Sequence, residues 1–283
     1  MMIYASDLDQ TLVYSRRALR IPEDTPGLVP AEWINGKLSA FMSAYALERL
    51  QSLPQDIVFM PVTTRTVEQY RRIHIFQSEC IPKYAVTSNG GNIIVDGQVD
   101  DEWNLHIRSL LRQQAATPEE ILDLFDDVLS PEWVINQRLC DELFFALLIE
   151  RDKLPMEHIA EKIRVLETLG WESSIQGRKL YLVPSAVNKR AAVEHIRQRI
   201  GDVPVIASGD SLLDRCLLDF AHYAIAPSHG ELHVERQRVP EQVPYQFTEQ
   251  FGAFAADEIL DYVHRIHNDQ QTQIDHAEIR ETV

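Results

Sequence analysis

The sequence is poor in cysteine and contains no long apolar run. Its three cysteines, Cys80, Cys140 and Cys216, lie far apart and have neither paired nor metal-ligand spacing. Isolated thiols of this kind are typical of proteins in a reducing compartment. No apolar run approaches the roughly 18 residues of a membrane span, and no basic segment followed by an apolar region precedes the first strand. We therefore expect a soluble, cytoplasmic protein.

Positive charge is also scarce. The 27 lysines and arginines face 43 aspartates and glutamates, which gives a formal net charge of −16. An acidic field of this size repels nucleic-acid backbones and anionic lipids, so we expect no nucleic-acid partner and no membrane partner. The remaining composition, 45% hydrophobic and 25% charged over 283 residues, is ordinary for one large globular domain or two modest ones.

Two aspartates follow the first apolar run of the chain. Asp7 comes directly after Ile3–Ser6, and Asp9 follows two residues later, shortly before Thr11. At the carboxyl end of a buried parallel strand, such side chains project into the crevice where open α/β sheets bind ligands. Carboxylates there can hold a hard cation, attack as a nucleophile or carry a proton. Taken alone, the same pattern also fits an acidic turn after a strand.

Strand-like and helix-like segments alternate in the first and last thirds of the chain. Continuous apolar runs of strand length end in polar turns, and segments with helical periodicity lie between them. This alternation indicates a Rossmann-like, doubly wound parallel sheet of the α/β class. We expect residues 1–95 and 185–267 to form this discontinuous core. The runs that predict strands are 3–6, 56–62, 84–87, 203–207 and 223–226.

The middle third changes to a helix-strand-strand pattern that occurs twice. A capping box at Thr117–Glu120 begins the first unit, and Pro155 opens the second. The change of pattern predicts an α+β domain, residues 96–184, inserted into the core. The polar segment 268–283 predicts a mobile tail.

A proline-rich segment, Tyr14–Ser43, separates the first strand from the first helix. It contains Asn35-Gly36, the favoured two-residue type I′ turn, and this predicts a hairpin. The hairpin either overhangs the site, with Trp33 and Lys37 as candidate contacts, or is a plain surface hairpin. The sequence fits both interpretations.

Four further polar residues fall at the ends of predicted strands or helices. Together with the opening aspartates they supply a carboxylate nucleophile, a second carboxylate for proton transfer, and a hydroxyl and an ammonium for phosphate oxygens. The other acids suit Mg²⁺, which the pattern favours over zinc because no His or Cys cluster accompanies them. The sequence therefore predicts metal-assisted phosphoryl transfer through an aspartyl-phosphate. The four residues are Thr63, Lys189, Asp210 and Asp214.

These residues resemble, in order, the four motifs of the haloacid dehalogenase (HAD) superfamily of phosphohydrolases. Asp7-Leu8-Asp9-Gln10-Thr11 is similar to the first motif, Thr63 to the second, Lys189 to the third and Gly209–Asp214 to the fourth. The resemblance covers residues 2 to about 264. The insertion between the second and third motifs resembles a C2 cap in its smaller C2B form, as in the Cof-type, sucrose-phosphate, mannosyl-phosphoglycerate and trehalose-phosphate phosphatases.

The resemblance implies a role for each matching residue. Asp7 would be the nucleophile, and Asp9 would protonate the leaving alcohol and then activate water. Thr63 and Lys189 would bind the phosphoryl group. Mg²⁺ would be held by Asp7, the backbone carbonyl of Asp9, Asp210 and, through water, Asp214.

The implied activity is that of a Mg²⁺-dependent phosphatase acting on a small phosphorylated metabolite, a sugar phosphate above all. A phosphomutase of the same fold and a non-catalytic regulatory protein are the alternatives. Two positions depart from the family pattern: Gln10 stands where glycine is common, and Leu213 where asparagine is usual. Neither departure removes a primary catalytic group.

Five more residues are candidates for substrate contacts. They follow the second motif, begin the insertion or lie on its second hairpin. For the charged members, a surface or ion-pair role is the alternative. The five are Thr64, Arg65, Asn89, Arg178 and Lys179.

Overall fold

A computed structural model describes residues 1–281 of the chain, and the side chains of residues 1–273. The described strands are β1 (Met2–Ser6), β2 (Tyr14–Ser15), β3 (Leu28–Ile34), β4 (Lys37–Ser43), β5 (Ile57–Pro61), β6 (Tyr84–Thr87), β7 (Asn92–Val95), β8 (Gln98–Val99), β9 (Val134–Cys140), β10 (Phe144–Ile149), β11 (Trp171–Gln176), β12 (Lys179–Pro184), β13 (Val205–Ser208), β14 (Tyr223–Ala226) and β15 (Gln246–Phe247). The described α-helices are α1 (Ala44–Gln51), α2 (Val67–Arg71), α3 (Ile75–Ser78), α4 (Asp101–Gln114), α5 (Pro118–Phe125), α6 (Met156–Thr168), α7 (Lys189–Ile200), α8 (Arg215–Phe220), α9 (Glu231–Arg238) and α10 (Ala255–Glu281).

A five-stranded parallel sheet with the order β15-β14-β13-β1-β5 forms the centre. Successive side chains of β1 point to opposite faces, so Tyr4 packs in one hydrophobic cluster while Ile3 and Ala5 pack in another. Helices α1 and α10 cover the first face, and α7 and α8 cover the second. This arrangement confirms the predicted doubly wound α/β core.

The chain order of the strands reverses at β1. From β1 the sheet continues to β5 on one side, and β13 lies on the other. Open α/β sheets bind ligands at such a switch point, outside the carboxyl ends of the strands. The loops after β1 and β13, which carry Asp7 and Asp210, therefore meet at the binding edge of the sheet.

A four-stranded antiparallel sheet, β11-β12-β10-β9, is formed by the inserted segment, residues 96–184. Both helix-strand-strand units are present, as α5-β9-β10 and α6-β11-β12. They enclose a separate hydrophobic cluster in which Phe145 stacks on Trp171, with their ring centroids 6.1 Å apart. The antiparallel sheet thus has a core of its own.

Helix α4 belongs to the inserted segment but packs on the core. Its Trp103 and Ile107 are buried in the cluster shared with α7, and the Trp103 and His195 rings lie 4.7 Å apart. Asp100 caps the helix through the backbone N–H of Trp103. This helix is not among the elements predicted from the sequence.

The predicted hairpin is present as β3 and β4. Its two turn residues, Asn35 and Gly36, have φ values of 50° and 72°, as the type I′ turn requires. Strand β2 pairs with β4 and extends this small sheet. We call residues 14–43 the hairpin insertion.

The two chain segments that connect the core to the inserted segment contact each other. Gly90 has a φ of 103°, and a Cβ built there would lie 2.2 Å from the carbonyl oxygen of Asn188. Only glycine permits this approach, since the position is both left-handed and too close for a side chain. The contact places the outgoing chain against the N-terminus of α7.

Helix α10 continues through Glu281, so the segment predicted as a mobile tail from residue 268 is helical as far as the structure describes it. The beginning of this segment is held to the core, because Gln271 and the preceding His267 both hydrogen-bond to Asp56. Gln270 also donates to the hydroxyl of Tyr223. Residues 282 and 283 lie outside the described residues.

Within residues 1–281, no helix combines the length and the apolar character needed to span a lipid bilayer.

Candidate active site

A buried lysine joins two buried aspartates on the floor of the site. Asp7, directly after β1, is 5% exposed and donates its backbone N–H to Ser208 at the end of β13. Lys189 Nζ lies 2.6 Å from Asp7 Oδ1 and 2.5 Å from Asp214 Oδ1. Although burial alone would lower it, the pKa of Lys189 is raised by the charges of Asp214 and Asp7. The ammonium therefore stays charged.

Asp210 completes a cluster of three buried acids. Asp7, Asp210 and Asp214 each offer a carboxylate oxygen, and these oxygens lie within 4.8 Å of one another. Asp214 Oδ2 also accepts hydrogen bonds from the backbone N–H of Ser211 at 3.0 Å and its hydroxyl at 2.7 Å. A Cβ at Gly209 would lie 2.5 Å from Asp214, so glycine lets this loop fold back on the aspartate.

The charges of the cluster leave room for a divalent cation. Burial raises the pKa of Asp7 to about 7, with Lys189 opposing the shift and Asp214 adding to it. Burial and the charges of Asp7 and Asp214 also hold the pKa of Asp210 well above its ordinary value. The cluster crowds three carboxylates together and offers only oxygen atoms as donors, which fits Mg²⁺.

Asp9 points away from the cluster and binds Arg65. Arg65 Nε and Nη2 each lie 2.8 Å from an oxygen of Asp9, and the Asp9 side chain is 39% exposed. Burial acts to raise the pKa of Asp9, but Arg65 outweighs it and lowers the pKa to about 2. Arg65 Nη1 makes a further ion pair with Glu32 Oε1 at 3.0 Å.

A cavity of about 500 Å³ opens above these groups. Its floor includes Asp7, Lys189 and Asp210, and one wall comes from the hairpin insertion. The roof is the second hairpin of the inserted segment, β11–β12. The residues of that segment that line the cavity are Leu148, Gln176, Gly177, Arg178, Lys179 and Tyr181.

Three charged candidates from the sequence analysis line this cavity. Arg65 pairs with Asp9, and Arg178 pairs with Glu150 at 3.1 Å. Lys179 Nζ lies 5.8 Å from the ring centroid of Tyr181. Arg65 and Arg178 therefore form ion pairs, as the alternative predicted, and they also line the cavity.

The uncharged candidates differ in whether they line the cavity. Thr64 lines the cavity, whereas Thr63 is fully buried and its Oγ1 accepts the backbone N–H of Arg65 at 3.2 Å. Asn89 lies outside the cavity lining and donates from Nδ2 to the carbonyl of Val187 at 3.0 Å. Asn89 thus holds the segment that leads into Lys189, because Val187 lies two residues before it.

Gln10 has a structural role that was not predicted from the sequence. Its φ of 64° is left-handed, which explains why glycine is common at this position. Its side chain donates to Asp210 Oδ2 at 3.3 Å, and its carbonyl accepts from His229 Nε2 at 2.9 Å. His229 Nδ1 in turn accepts the N–H of Gly252 at 3.2 Å. In the sequence, only the family preference for glycine at this position indicated its left-handed backbone.

The inserted segment also contacts the floor directly. Gln176 Nε2, in β11, donates to Ser211 Oγ at 3.0 Å, and the same hydroxyl donates to Asp214. A hydrogen-bonded path therefore runs from the roof of the cavity to the acid cluster. Neither Gln176 nor Ser211 was among the predicted site residues.

Solved structures with the same architecture cover nearly the whole chain. The sucrose-phosphatase from Synechocystis sp., solved with sucrose and phosphate, aligns with a TM-score of 0.66 at 17% identity over 93% of this chain and 97% of that one. A Thermoplasma acidophilum protein aligns with a TM-score of 0.61 at 13% identity over 93% and 97%. A HAD subclass IIB sugar phosphatase aligns with a TM-score of 0.52 at 13% identity over 88% and 93%.

No protein-family model and no curated protein matches the sequence. At identities this low, structural similarity establishes the fold. The four motifs at the strand and helix ends imply the same fold. The chain has the fold of the haloacid dehalogenase superfamily.

Proposed function

We propose that this protein is a Mg²⁺-dependent phosphatase that hydrolyses a small sugar phosphate through an aspartyl-phosphate on Asp7. The observation that carries the proposal is the contact of Lys189 with both Asp7 and Asp214 beside Asp210, on the floor of a cavity. A carboxylate able to act as a nucleophile, a cation for phosphoryl oxygens and acids able to hold a metal are thus available together. The sucrose-phosphatase and sugar phosphatase with the same fold support this substrate class.

The first step transfers the phosphoryl group to the protein. Asp9 is ionised in the free protein and takes up a proton from the bound ester monoanion. An oxygen of Asp7 then attacks phosphorus, the bond from phosphorus to the leaving oxygen breaks, and Asp9 gives that oxygen the proton. Lys189 neutralises part of the negative charge on the phosphoryl oxygens, and its two short contacts fix its position beforehand. Thr64 follows β5 and lines the cavity, so it can offer its hydroxyl to the phosphoryl oxygens, whereas Thr63, which the family resemblance assigns to them, is fully buried.

The second step releases phosphate. A water molecule attacks phosphorus, Asp9 takes a proton from it, and the bond from phosphorus to Asp7 breaks. Asp7 returns to a carboxylate, and Asp9 releases the proton taken from water to solvent. One carboxylate therefore acts as acid and then as base.

Mg²⁺ would be held by Asp7, the backbone carbonyl of Asp9 and Asp210, with Asp214 supporting it through water. When bound, it neutralises charge on the ester and orients the phosphoryl group for attack. The three buried carboxylates, whose oxygens lie within 4.8 Å of one another, support this assignment.

Substrate specificity is assigned to the walls and the roof. The inserted segment and the hairpin insertion enclose a cavity of about 500 Å³, which suits a small metabolite rather than a polymer. The floor binds groups that every phosphate ester shares, so it cannot distinguish leaving groups.

A panel of phosphorylated metabolites, assayed with millimolar Mg²⁺ and with EDTA, tests the function. We expect release of inorganic phosphate with Mg²⁺, loss with EDTA and recovery on adding Mg²⁺ back. Formation of an isomerised phosphate ester without free phosphate would identify a phosphomutase instead. No turnover of any ester by the folded protein would overturn the proposal.

A further inference from the structure

The cavity lining is richer in cations than the chain as a whole. The chain has 27 lysines and arginines against 43 aspartates and glutamates, whereas six cations and four acids line the cavity. Cations gathered in a cleft raise the local concentration of anionic ligands. The six cations are Arg17, Arg65, Arg72, Arg178, Lys179 and Lys189.

Four of these cations already have carboxylate partners in the protein. Each forms at least one ion pair, and the closest contacts measure between 2.5 and 3.2 Å. Their charges are therefore balanced before any ligand binds. The four are Arg65, Arg72, Arg178 and Lys189.

Arg17 and Lys179 have no such partner. Among the side chains of residues 1–273, no carboxylate oxygen lies within 4.0 Å of the charged nitrogens of either residue. The neighbouring Arg16 does have a partner, because it pairs with Glu23 at 2.9 Å. Lys179 Nζ lies 5.8 Å from the ring centroid of Tyr181, a contact that leaves the charge of the ammonium unbalanced.

Both of these cations lie above the floor. The phosphoryl group must reach Asp7 on the floor, where Lys189 supplies the balancing charge. Arg17 follows β2 in the hairpin insertion, and Lys179 is the first residue of β12 in the roof. The rest of the ester therefore extends between a cation of the wall and a cation of the roof.

Lys179 lies on the side of the cavity that holds Asp9. Burial acts to raise the pKa of Asp9, but the charge of Arg65 and, less strongly, that of Lys179 lower it. In the proposed mechanism Asp9 passes a proton to the leaving oxygen, so the leaving group lies beside Asp9. A second anion on that group is therefore close to the ammonium of Lys179.

We propose that the leaving group of the substrate carries a second anionic group, a carboxylate or a further phosphate, which Arg17 and Lys179 bind. A guanidinium and an ammonium both donate charge-assisted hydrogen bonds to such groups. The inference rests on the proposed function. It narrows the substrate class from sugar phosphates in general to phosphorylated sugar acids and sugar bisphosphates.

Two matched pairs of esters test the inference. 6-Phosphogluconate and glucitol 6-phosphate differ by a carboxylate in place of a hydroxymethyl group, and fructose 1,6-bisphosphate and fructose 6-phosphate differ by a second phosphate. We expect kcat/KM for phosphate release to be at least about tenfold higher for the anionic member of one pair. The pair that shows the preference identifies the second anion. Raising the ionic strength about tenfold should reduce the preference, since salt screens partly exposed charges.

Two substitutions locate the effect. Arg17→Gln and Lys179→Met keep long side chains, remove the charges and change exposed positions, so both variants should fold. Each should lower the preference for the anionic member about 3- to 10-fold and change kcat/KM for the neutral member less than about twofold. Arg16→Gln is the matched control, because Arg16 is adjacent in sequence but outside the cavity lining. It should leave the preference unchanged.

An ester that is not turned over is compared by its inhibition of p-nitrophenyl phosphate hydrolysis. Equal values of kcat/KM or of the inhibition constant within both pairs would overturn the inference. A preference that survives both substitutions would overturn it as well, because the second anion would then bind elsewhere. If the wild-type protein hydrolyses neither p-nitrophenyl phosphate nor any of the four esters, the proposed function itself fails, and this result is distinct from the others.

Discussion

The floor and the roof of the cavity hold their charges in different ways. On the floor, Lys189, Asp7 and Asp214 are buried and in short contact. On the roof, Arg178 and its partner Glu150 are 44% and 47% exposed. Removing one member of a buried pair is costly, whereas exposed pairs contribute little and rearrange easily. The floor is therefore suited to chemistry shared by all phosphate esters, and the roof to recognition of the leaving group.

The largest effect should come from the floor. Asp7→Asn removes the nucleophile, because an amide cannot form the acyl-phosphate, and we expect phosphate release to fall by about 10⁴-fold or more on every substrate. Asp152→Asn, an exposed aspartate of the inserted segment, is the control and should retain full activity. Near-normal turnover by Asp7→Asn, with contamination excluded, would rule out the covalent mechanism.

The roof should show a smaller and selective effect. Lys179→Ala removes a cation from the cavity wall, so we expect kcat/KM for the best sugar phosphate to fall about tenfold and that for p-nitrophenyl phosphate less than twofold. Lys153→Ala changes an exposed lysine of the same segment outside the cavity and should have no effect. Equal losses on both esters would break the distinction between floor and roof.

The charge of the floor should also be visible in stability. The pKa of Asp210 is raised in the folded protein, so its favourable contribution is present below its unfolded pKa of about 4 and is lost as pH rises. At pH 7.5 without metal, Asp210→Asn should therefore raise Tm, because the amide carries no charge that is costly to bury. Each kcal/mol added to the free energy of unfolding corresponds to about 2–4 °C. Mg²⁺ should raise Tm of the wild-type protein and have much less effect on the variant. A lower Tm of metal-free Asp210→Asn would contradict this account.

The smallest effect is expected at His229, which supports the loop that carries Gln10 and affects only the dependence of stability on pH. Burial lowers the pKa of His229 to about 4, and its neutral ring bridges Gln10 and Gly252. Because this pKa is depressed, the stability it contributes is present above the unfolded pKa of about 6.5 and is lost as pH falls toward 4. His229→Gln should flatten the dependence of Tm on pH across this range. His158→Gln, at an exposed position, should keep the wild-type slope.

The core of the fold and the floor were predictable because local patterns determine them. Continuous apolar runs that end in polar turns predict buried parallel strands, and parallel strands bring their carboxyl ends together. Asp7, Lys189 and Asp210 could thus be grouped from their positions at strand and helix ends. Helix α4 was missed although Trp103 and Ile107 have helical spacing after Asp100, which caps the helix.

Other features depend on long-range packing and had no local signal. Thr63 and Thr64 both follow β5, and position in the sequence does not tell which of the two side chains faces the cavity. The pairing of Glu32 with Arg65 depends on register shifts in a hairpin and on the path of a separate loop. Asn89 was expected near the substrate, but its tertiary partner is the carbonyl of Val187.

The contact between Gly90 and Asn188 has an evolutionary consequence. Because the chain leaves the core and returns to it at adjacent points, the segment between them can be exchanged for another that keeps the packing of α4 on the core, without moving the strands that carry the acids. A lineage built on such a junction can acquire new substrates by replacing one contiguous stretch of gene.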